Sequence, residues 1–271
     1  MQEFLLANEP IIRLTIFASI LASMAALEAW LPRRARGHSR WLRWPNNLGL
    51  TTINTLLLRF FFPTAAVGTA IYLEGLGIGL MPWLGLPFWL SVILMIIILD
   101  FAIYLQHVMF HAVPFLWRFH RMHHADLDLD VTSGSRFHPV EIILSMLIKL
   151  MLVVALGAPA VAVLLFEVLL NATSMFNHSN LRLPLGFDSL LRKILVTPDM
   201  HRVHHSVEPS ETNANFGFNL SIWDKIMGTY RAQPMAGHDG MQIGLPVFRE
   251  TRELWLDRMI TQPFRRTGKR R

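Results

Sequence analysis

Ten of the twelve histidines in this chain fall into a spaced pattern. His107 and His111 stand four apart. The word His-x-x-His-His occurs twice, as His120, His123, His124 and as His201, His204, His205. His138 and His178 stand singly between the two words. Neutral imidazole is a ligand for iron, zinc, copper and nickel. Core packing has no use for such repeated words, and clustered imidazolium ions would repel one another. Two triplets, one pair and two single histidines suffice to surround two metal ions, with up to five nitrogens each. There is no cysteine, so any metal must be held by nitrogen or oxygen. His38, in a basic loop near head groups, and His238, in a glycine-rich loop, read as ordinary loop residues.

Geometry supports the spacing. At ~3.6 residues per turn, positions four apart share a helix face, as His107 and His111 would. The three histidines of each His-x-x-His-His word span an arc of about 100° on a helix. Carboxylates and other polar groups can orient such rings through the second ring nitrogen. The candidates are Asp100, two turns before His107, together with Glu141, Asp199 and Asp224. The alternating Asp126, Asp128 and Asp130 read as a solvated loop.

The elements that must carry these residues are apolar. Of the 271 residues, 52% are apolar and 16% charged, and the apolar ones come in long runs that point to membrane spans. Ile11–Leu31 is a first span, Leu48–Leu73 a second and Phe88–Gln106 a third. Arg59 inside the second is expected to face protein or to snorkel. Val140–Gly157 and Val161–Phe176 form a tight helical hairpin with both ends on one side. From Asn180 onward no run is long enough to span, and the chain reads as a helical cap, with Phe216–Tyr230 along the interface. Arg33 to Trp44 holds five arginines and no acid, which places it in the cytoplasm. All ten patterned histidines then lie at the cytoplasmic face. The expected fold is an all-α integral membrane protein. It has about three spanning helices plus the hairpin, and a cytoplasmic helical cap carrying the histidines.

Charge fits the same reading. The net charge is +6, and the basic residues gather beside apolar runs and in the tail at Arg265, Arg266, Lys269, Arg270 and Arg271. Such clusters read as contacts with anionic lipid, and nucleic-acid binding is a poor second. Only four basic residues are lysine, a lean toward arginine that suits a GC-rich bacterial genome. The bacterial cytoplasmic membrane is therefore favoured, or the endoplasmic reticulum for a eukaryotic chain. No basic stretch precedes the first apolar run, so a cleaved signal peptide is not expected.

The pattern resembles the fatty acid hydroxylase superfamily, also called the sterol desaturase family. The three histidine boxes carry the resemblance, together with their flanks: Asp100-x-x-x-Tyr104, Arg136-Phe-His138-Pro-x-Glu141, Asn177-His178-Ser-Asn180, Thr197-Pro-Asp199, Asn215-Phe-Gly217 and Trp223-Asp224 through Tyr230. It runs from about Leu99 to Tyr230 and looks most like the alkylglycerol monooxygenase-like bacterial branch. It implies one membrane-embedded oxygenase domain: spans over 1–98, a histidine-box core over 99–230 and a basic tail over 231–271. It implies a non-haem di-iron centre, O2 as co-substrate and a lipid whose unactivated C–H bond is hydroxylated or desaturated. It makes Tyr104 and Asn177 further candidates around the centre. In acyl-chain hydroxylase members, histidines between the second and third boxes complete the site, and here His138 and His178 occupy that interval. They depart from the four-apart pair of some members, because Ser174 precedes His178 by four. Electrons must come from a separate donor of ferredoxin or cytochrome b5 type.

Three other readings fit less well. A histidine-rich membrane metal transporter tends to hold its ligands near the bilayer midplane. A zinc hydrolase lacks the His-Glu-x-x-His helix. A bis-histidine haem protein leaves most of these histidines unexplained.

Overall fold

The computed structural model describes residues 1–266, and among these it is all-helical, with three isolated β-bridges and no strand. Lys269, Arg270 and Arg271 of the basic tail lie outside the described residues. The helices are α1 (Gln2–Ala7), α2 (Glu9–Trp30), α3 (Arg40–Phe61), α4 (Ala65–Leu76), α5 (Leu80–Leu84), α6 (Phe88–Ala112), α7 (Pro114–His124), α8 (Pro139–Leu156), α9 (Ala160–Asn177), α10 (Leu185–Leu191), α11 (Pro198–His204), α12 (Pro209–Thr212) and α13 (Ile222–Ile226). Shorter turns follow to Phe264. By length and composition, α2, the α3–α4 pair, α6, α8 and α9 can cross a membrane.

The second apolar run departs from its expected bounds. Helix α3 begins at Arg40, where the Ser39 hydroxyl accepts a hydrogen bond from the Trp41 amide. It breaks at Phe62–Thr64 around Pro63, which has no N–H to continue the helix. Arg59 is exposed in the last turn of α3, where its long side chain can snorkel.

Helix α9 is the central post. Over half of its apolar window is buried, against none of that of α2. Small side chains at Ala66, Ala70, Ala158, Ala160 and Ala162 are fully buried and let the α4, α8 and α9 backbones approach closely. At the hairpin turn, Gly157 has φ +62°, and its Cα would lie 2.3 Å from a Cβ built on Gly79. Neither position has room for a side chain.

Buried carboxylates tie the apolar helices to the polar half of the chain. Glu28 of α2 accepts from the amides of Val131 (2.7 Å) and Asn180 (2.8 Å) and from Arg40 (2.8 Å). Asp100 of α6 accepts from the indole N–H of Trp223 (2.7 Å) and from the Leu220 amide (3.2 Å).

The aspartates at 126, 128 and 130 are not a solvated loop. Asp126 and Asp130 are fully buried against Arg43, which is fully buried itself. Arg43 donates to both Asp126 oxygens (2.7 and 3.2 Å), to Asp130 and to the Asp128 carbonyl (2.6 Å). Burial opposes the charge of Asp126, but Arg43 and Arg136 outweigh it and hold that carboxyl below its usual range. The Asp128 carboxylate takes the His38 amide at 2.7 Å, so His38 belongs to this packing and not to a free basic loop.

The 3₁₀ turn Val131–Ser135 follows and lies on α9. The Gly134 carbonyl accepts from the Ser174 hydroxyl at 2.7 Å. A Cβ at 134 would sit 2.4 Å from the Ser174 carbonyl oxygen. Gly134→Ala is expected to push the turn off α9 and to cost about 1–3 kcal/mol, read as a lowered thermal midpoint in detergent.

Candidate metal centre

Nine of the ten patterned histidines converge. They form two adjoining sets, His107, His111, His120, His124 and His204 in one, and His123, His178, His201 and His205 in the other. Within each set, the nitrogens nearest one another lie within 4.8 Å. The sets touch where His124 stacks on His205, with ring centroids 4.6 Å apart.

The division follows helix geometry. Positions four apart share a face, and each such pair enters one set: 107 with 111, 120 with 124, and 201 with 205. The remaining histidine of each His-x-x-His-His word points about 100° away from its neighbour in sequence. His123 therefore enters the second set and His204 the first, so each word serves both sets. Helix α7 begins at Pro114 and α11 at Pro198, where the Thr197 hydroxyl accepts from the Met200 amide.

Five ring Nδ1–H groups donate to fixed acceptors: His107 to the Phe216 carbonyl (2.7 Å), His120 to Glu141 (2.7 Å), His123 to the Arg136 carbonyl (3.0 Å), His178 to the Ser174 carbonyl (2.7 Å) and His204 to the Ala214 carbonyl (2.8 Å). His111 Nδ1 faces Asn213 Oδ1 at 3.3 Å. With the proton held on Nδ1, each Nε2 presents a lone pair. His107 and His120 then bring two lone pairs to 3.1 Å, and His123 and His178 do the same. No hydrogen bond is possible in either pair. A cation between the rings resolves both contacts. The buried Nε2 of His204 and both ring nitrogens of His205 have no partner, which fits the same demand.

Burial pushes His123, His124, His201, His204 and His205 well below the ordinary imidazole range, and neighbouring imidazoles push them further. His178 is lowered to about 4, chiefly by burial. Neutral nitrogen donors in this number suit an intermediate divalent metal such as iron.

His138 corrects the expectation of ten ligands. It lies in neither set. It caps α8, where its Nδ1 accepts from the Val140 amide (3.2 Å) and its Nε2–H donates to the Ile260 carbonyl (3.2 Å). Its only lone pair is spent on the cap.

Among the six candidate partners, Glu141 alone meets a clustered ring. Tyr104 bonds the Thr229 hydroxyl (2.9 Å), and the Asn177 amide donates to the Phe218 carbonyl (3.0 Å). Asp199 pairs with Arg202 and Arg33, and lies 3.6 Å from His238, which is buried and not in an open loop. Asp224 accepts from the Phe216 and Gly217 amides (2.8 and 2.9 Å), and so fixes the turn whose carbonyl receives His107. Asp100 acts on Trp223 of the same segment. Phe216 and Phe218 are buried against the rings, so the start of the 216–230 stretch is a wall of the centre. Four of the acceptors are backbone carbonyls, which no residue type announces.

Glu141→Gln keeps the size of the side chain but removes the charge that holds the His120 proton. Metal affinity is expected to fall about 10–100-fold, measured by titration of the stripped protein with Fe(II).

The family model for fatty acid hydroxylases matches residues 92–229. The chain is 30% identical over 184 residues to ornithine lipid hydroxylase OlsE of Rhizobium tropici, covering 68% of this chain and 53% of that protein. It is 31% identical over 175 residues to alkylglycerol monooxygenase of Homo sapiens, covering 64% and 37%. It is 28% identical over 137 residues to cholesterol 25-hydroxylase of Homo sapiens, covering 50% and 49%. The chain thus spans between about a third and a half of the length of these relatives. No solved structure matches it. With the apolar helices, the histidine sets and the family match together, the chain is an integral membrane protein that belongs to the fatty acid hydroxylase family.

Proposed function

We propose that the chain is a membrane di-iron oxygenase that uses O2 and external electrons to hydroxylate an unactivated C–H bond of a lipid. The observation that carries the reading is the pair of facing lone pairs, one in each histidine set, inside a family whose named relatives are lipid hydroxylases. His107, His111, His120, His124 and His204 would hold one iron, and His123, His178, His201 and His205 the other. The bound irons supply the activation of O2 and the oxidising power that no side chain offers. An electron donor of ferredoxin or cytochrome b5 type is a separate protein in this reading.

The chain's own residues do the rest. The carbonyls of Phe216, Arg136, Ser174 and Ala214, with Glu141, keep the proton on Nδ1 and aim each Nε2 inward. Phe137 stacks on His123 with centroids 4.4 Å apart, and Phe216 and Phe218 close the side toward α6. These aromatics exclude water from the centre. His111 is partly exposed, and substrate and O2 reach the centre on its side. The arginine-rich 33–43 segment supports a cytoplasmic position for the sets, in a bacterial membrane or the endoplasmic reticulum.

Hydroxylation is favoured over desaturation by the names of the relatives. Metal transport is disfavoured because both sets sit at helix ends, away from the middle of the apolar stretches. The test compares lipid extracts from cells with and without the gene by mass spectrometry, alongside iron analysis of the purified protein. A lipid heavier by one oxygen is expected. Loss of two hydrogens would make it a desaturase. An iron-loaded protein with no lipid product, moving metal into proteoliposomes, would sink the oxygenase reading.

A further inference from the structure

A cavity of about 450 Å3 opens beside His111, the partly exposed member of the histidine sets. Trp117 and Arg121 of α7 form one wall, Asn213 and Thr212 another, and Leu245 to Val247 a third. Trp117 and Arg121 lie one turn apart on the face that also carries His124. Most of the lining is apolar, and Arg121 is its one charged group.

Arg121 is 9% exposed. Its Nη2 donates to the carbonyls of Gln262 (2.7 Å), Pro263 (3.3 Å) and Arg265 (2.8 Å), so its position is fixed. Its Nε is buried and has no partner. No carboxylate pairs with it among the described residues, and its charged neighbours are Arg118 and Arg265, both of its own sign. The guanidinium is held at one edge by carbonyls and lies over the Phe248 ring, 5.4 Å from its centroid, yet it has no counter-charge, whereas buried charges are otherwise paired. The guanidinium fork matches the two oxygens of a carboxylate or phosphate.

We infer that this cavity receives the anionic group of a lipid headgroup, carboxylate or phosphate, on the free edge of Arg121. The inference rests on the lipid-oxygenase reading and narrows its substrate class. A cavity of this volume holds a headgroup and its first carbons, not a whole acyl chain. With Arg121 at one wall and His111 at another, the carbon presented to the metal centre lies in or next to the headgroup. Asn213, whose Oδ1 faces His111 Nδ1, links the cavity to that ring.

The test reads binding to the purified full chain in neutral detergent, without turnover. The probes are two matched pairs: dioleoylphosphatidic acid against dioleoylglycerol, and N-oleoylglycine against N-oleoylethanolamine. The wild type is expected to bind the charged member of at least one pair ten-fold or more tighter. Arg121→Gln should erase that preference while iron content holds. Val247→Trp narrows the cavity without touching the Arg121 carbonyl contacts, and should weaken the charged lipid at least ten-fold even where Arg121→Gln misfolds. Arg252→Gln, at an exposed surface arginine, should change nothing and controls for loose attraction to a basic protein. Equal binding of charged and neutral lipids by the wild type overturns the inference. So does a preference that survives both cavity variants. Inorganic phosphate that displaces phosphatidic acid at equal concentration would overturn the lipid source of the anion. A chain that binds charged lipid but oxidises none defeats only the oxygenase reading; one that oxidises lipids without regard to charge defeats only this inference.

Discussion

His123→Ala is expected to strip iron from the second histidine set and to end lipid oxidation. That set has four members, so the substitution leaves three, while the five-membered set keeps its full count. Even removal of an outer partner of a ligand costs about 10–100-fold in affinity or activity. Loss of the ligand itself should exceed about 100-fold on the same scale. Iron per chain, by elemental analysis, should fall toward half, and oxygenated lipid should vanish from extracts. His204→Ala takes one nitrogen from the larger set and should also abolish product, with a smaller loss of metal. His138→Ala is the control. It removes a helix cap, worth about 0.5–2 kcal/mol, and the bond to the Ile260 carbonyl, and should keep both iron and product. Full activity with unchanged iron in His123→Ala would defeat the assignment, as would loss of iron from a well-folded His138→Ala.

Arg43→Ala should be the most damaging substitution outside the histidines. The side chain is fully buried and neutralises Asp126 and Asp130, which are fully buried too. Its removal strands two carboxylates with only Arg136 nearby, 3.5 Å from Asp126. Breaking a buried pair from one side costs about 3–5 kcal/mol. That is a large part of the 5–15 kcal/mol or so that holds a typical domain. The segment between the second histidine box and α8 should lose its fixed path, and with it the Arg136 carbonyl that orients His123. Arg43→Lys should not rescue, because one ammonium cannot reach both aspartates, the Asp128 carbonyl and the Ser133 hydroxyl together. Arg59→Ala, at the exposed end of the same helix, should stay within about 0.5 kcal/mol of wild type. Thermal midpoints in detergent compare the three. An unchanged midpoint in Arg43→Ala would show that this arginine is dispensable.

The apolar runs made the long helices legible in the sequence, because hydrocarbon admits little else than a helix. The hairpin at Gly157 was readable for the same reason. The histidine words pointed to a cluster that could hold metal, because few other uses exist for them, and nine of the ten patterned histidines do come together. What the sequence hid were relations between distant residues. Asp126, Asp128 and Asp130 alternate like a surface loop, and it is Arg43, some 80 residues earlier, that with Arg136 makes Asp126 and Asp130 a buried core. Spacing likewise gave His138 the same weight as His178. The difference lies in which ring nitrogen keeps its proton, and that depends on Val140 and Ile260. Four of the five close Nδ1 acceptors are backbone carbonyls of Phe216, Arg136, Ser174 and Ala214, invisible to any reading of side-chain types.

The way each His-x-x-His-His word serves both sets has a consequence for the birth of the protein. His204 completes the first set, and His201 and His205 complete the second. Neither histidine set exists in full while the ribosome is still making α9. They are finished at adjacent residues, His204 and His205, after every long apolar helix has been synthesised. Any metal that these sets hold would thus be taken up late in the life of the nascent chain, and the two positions come into being together.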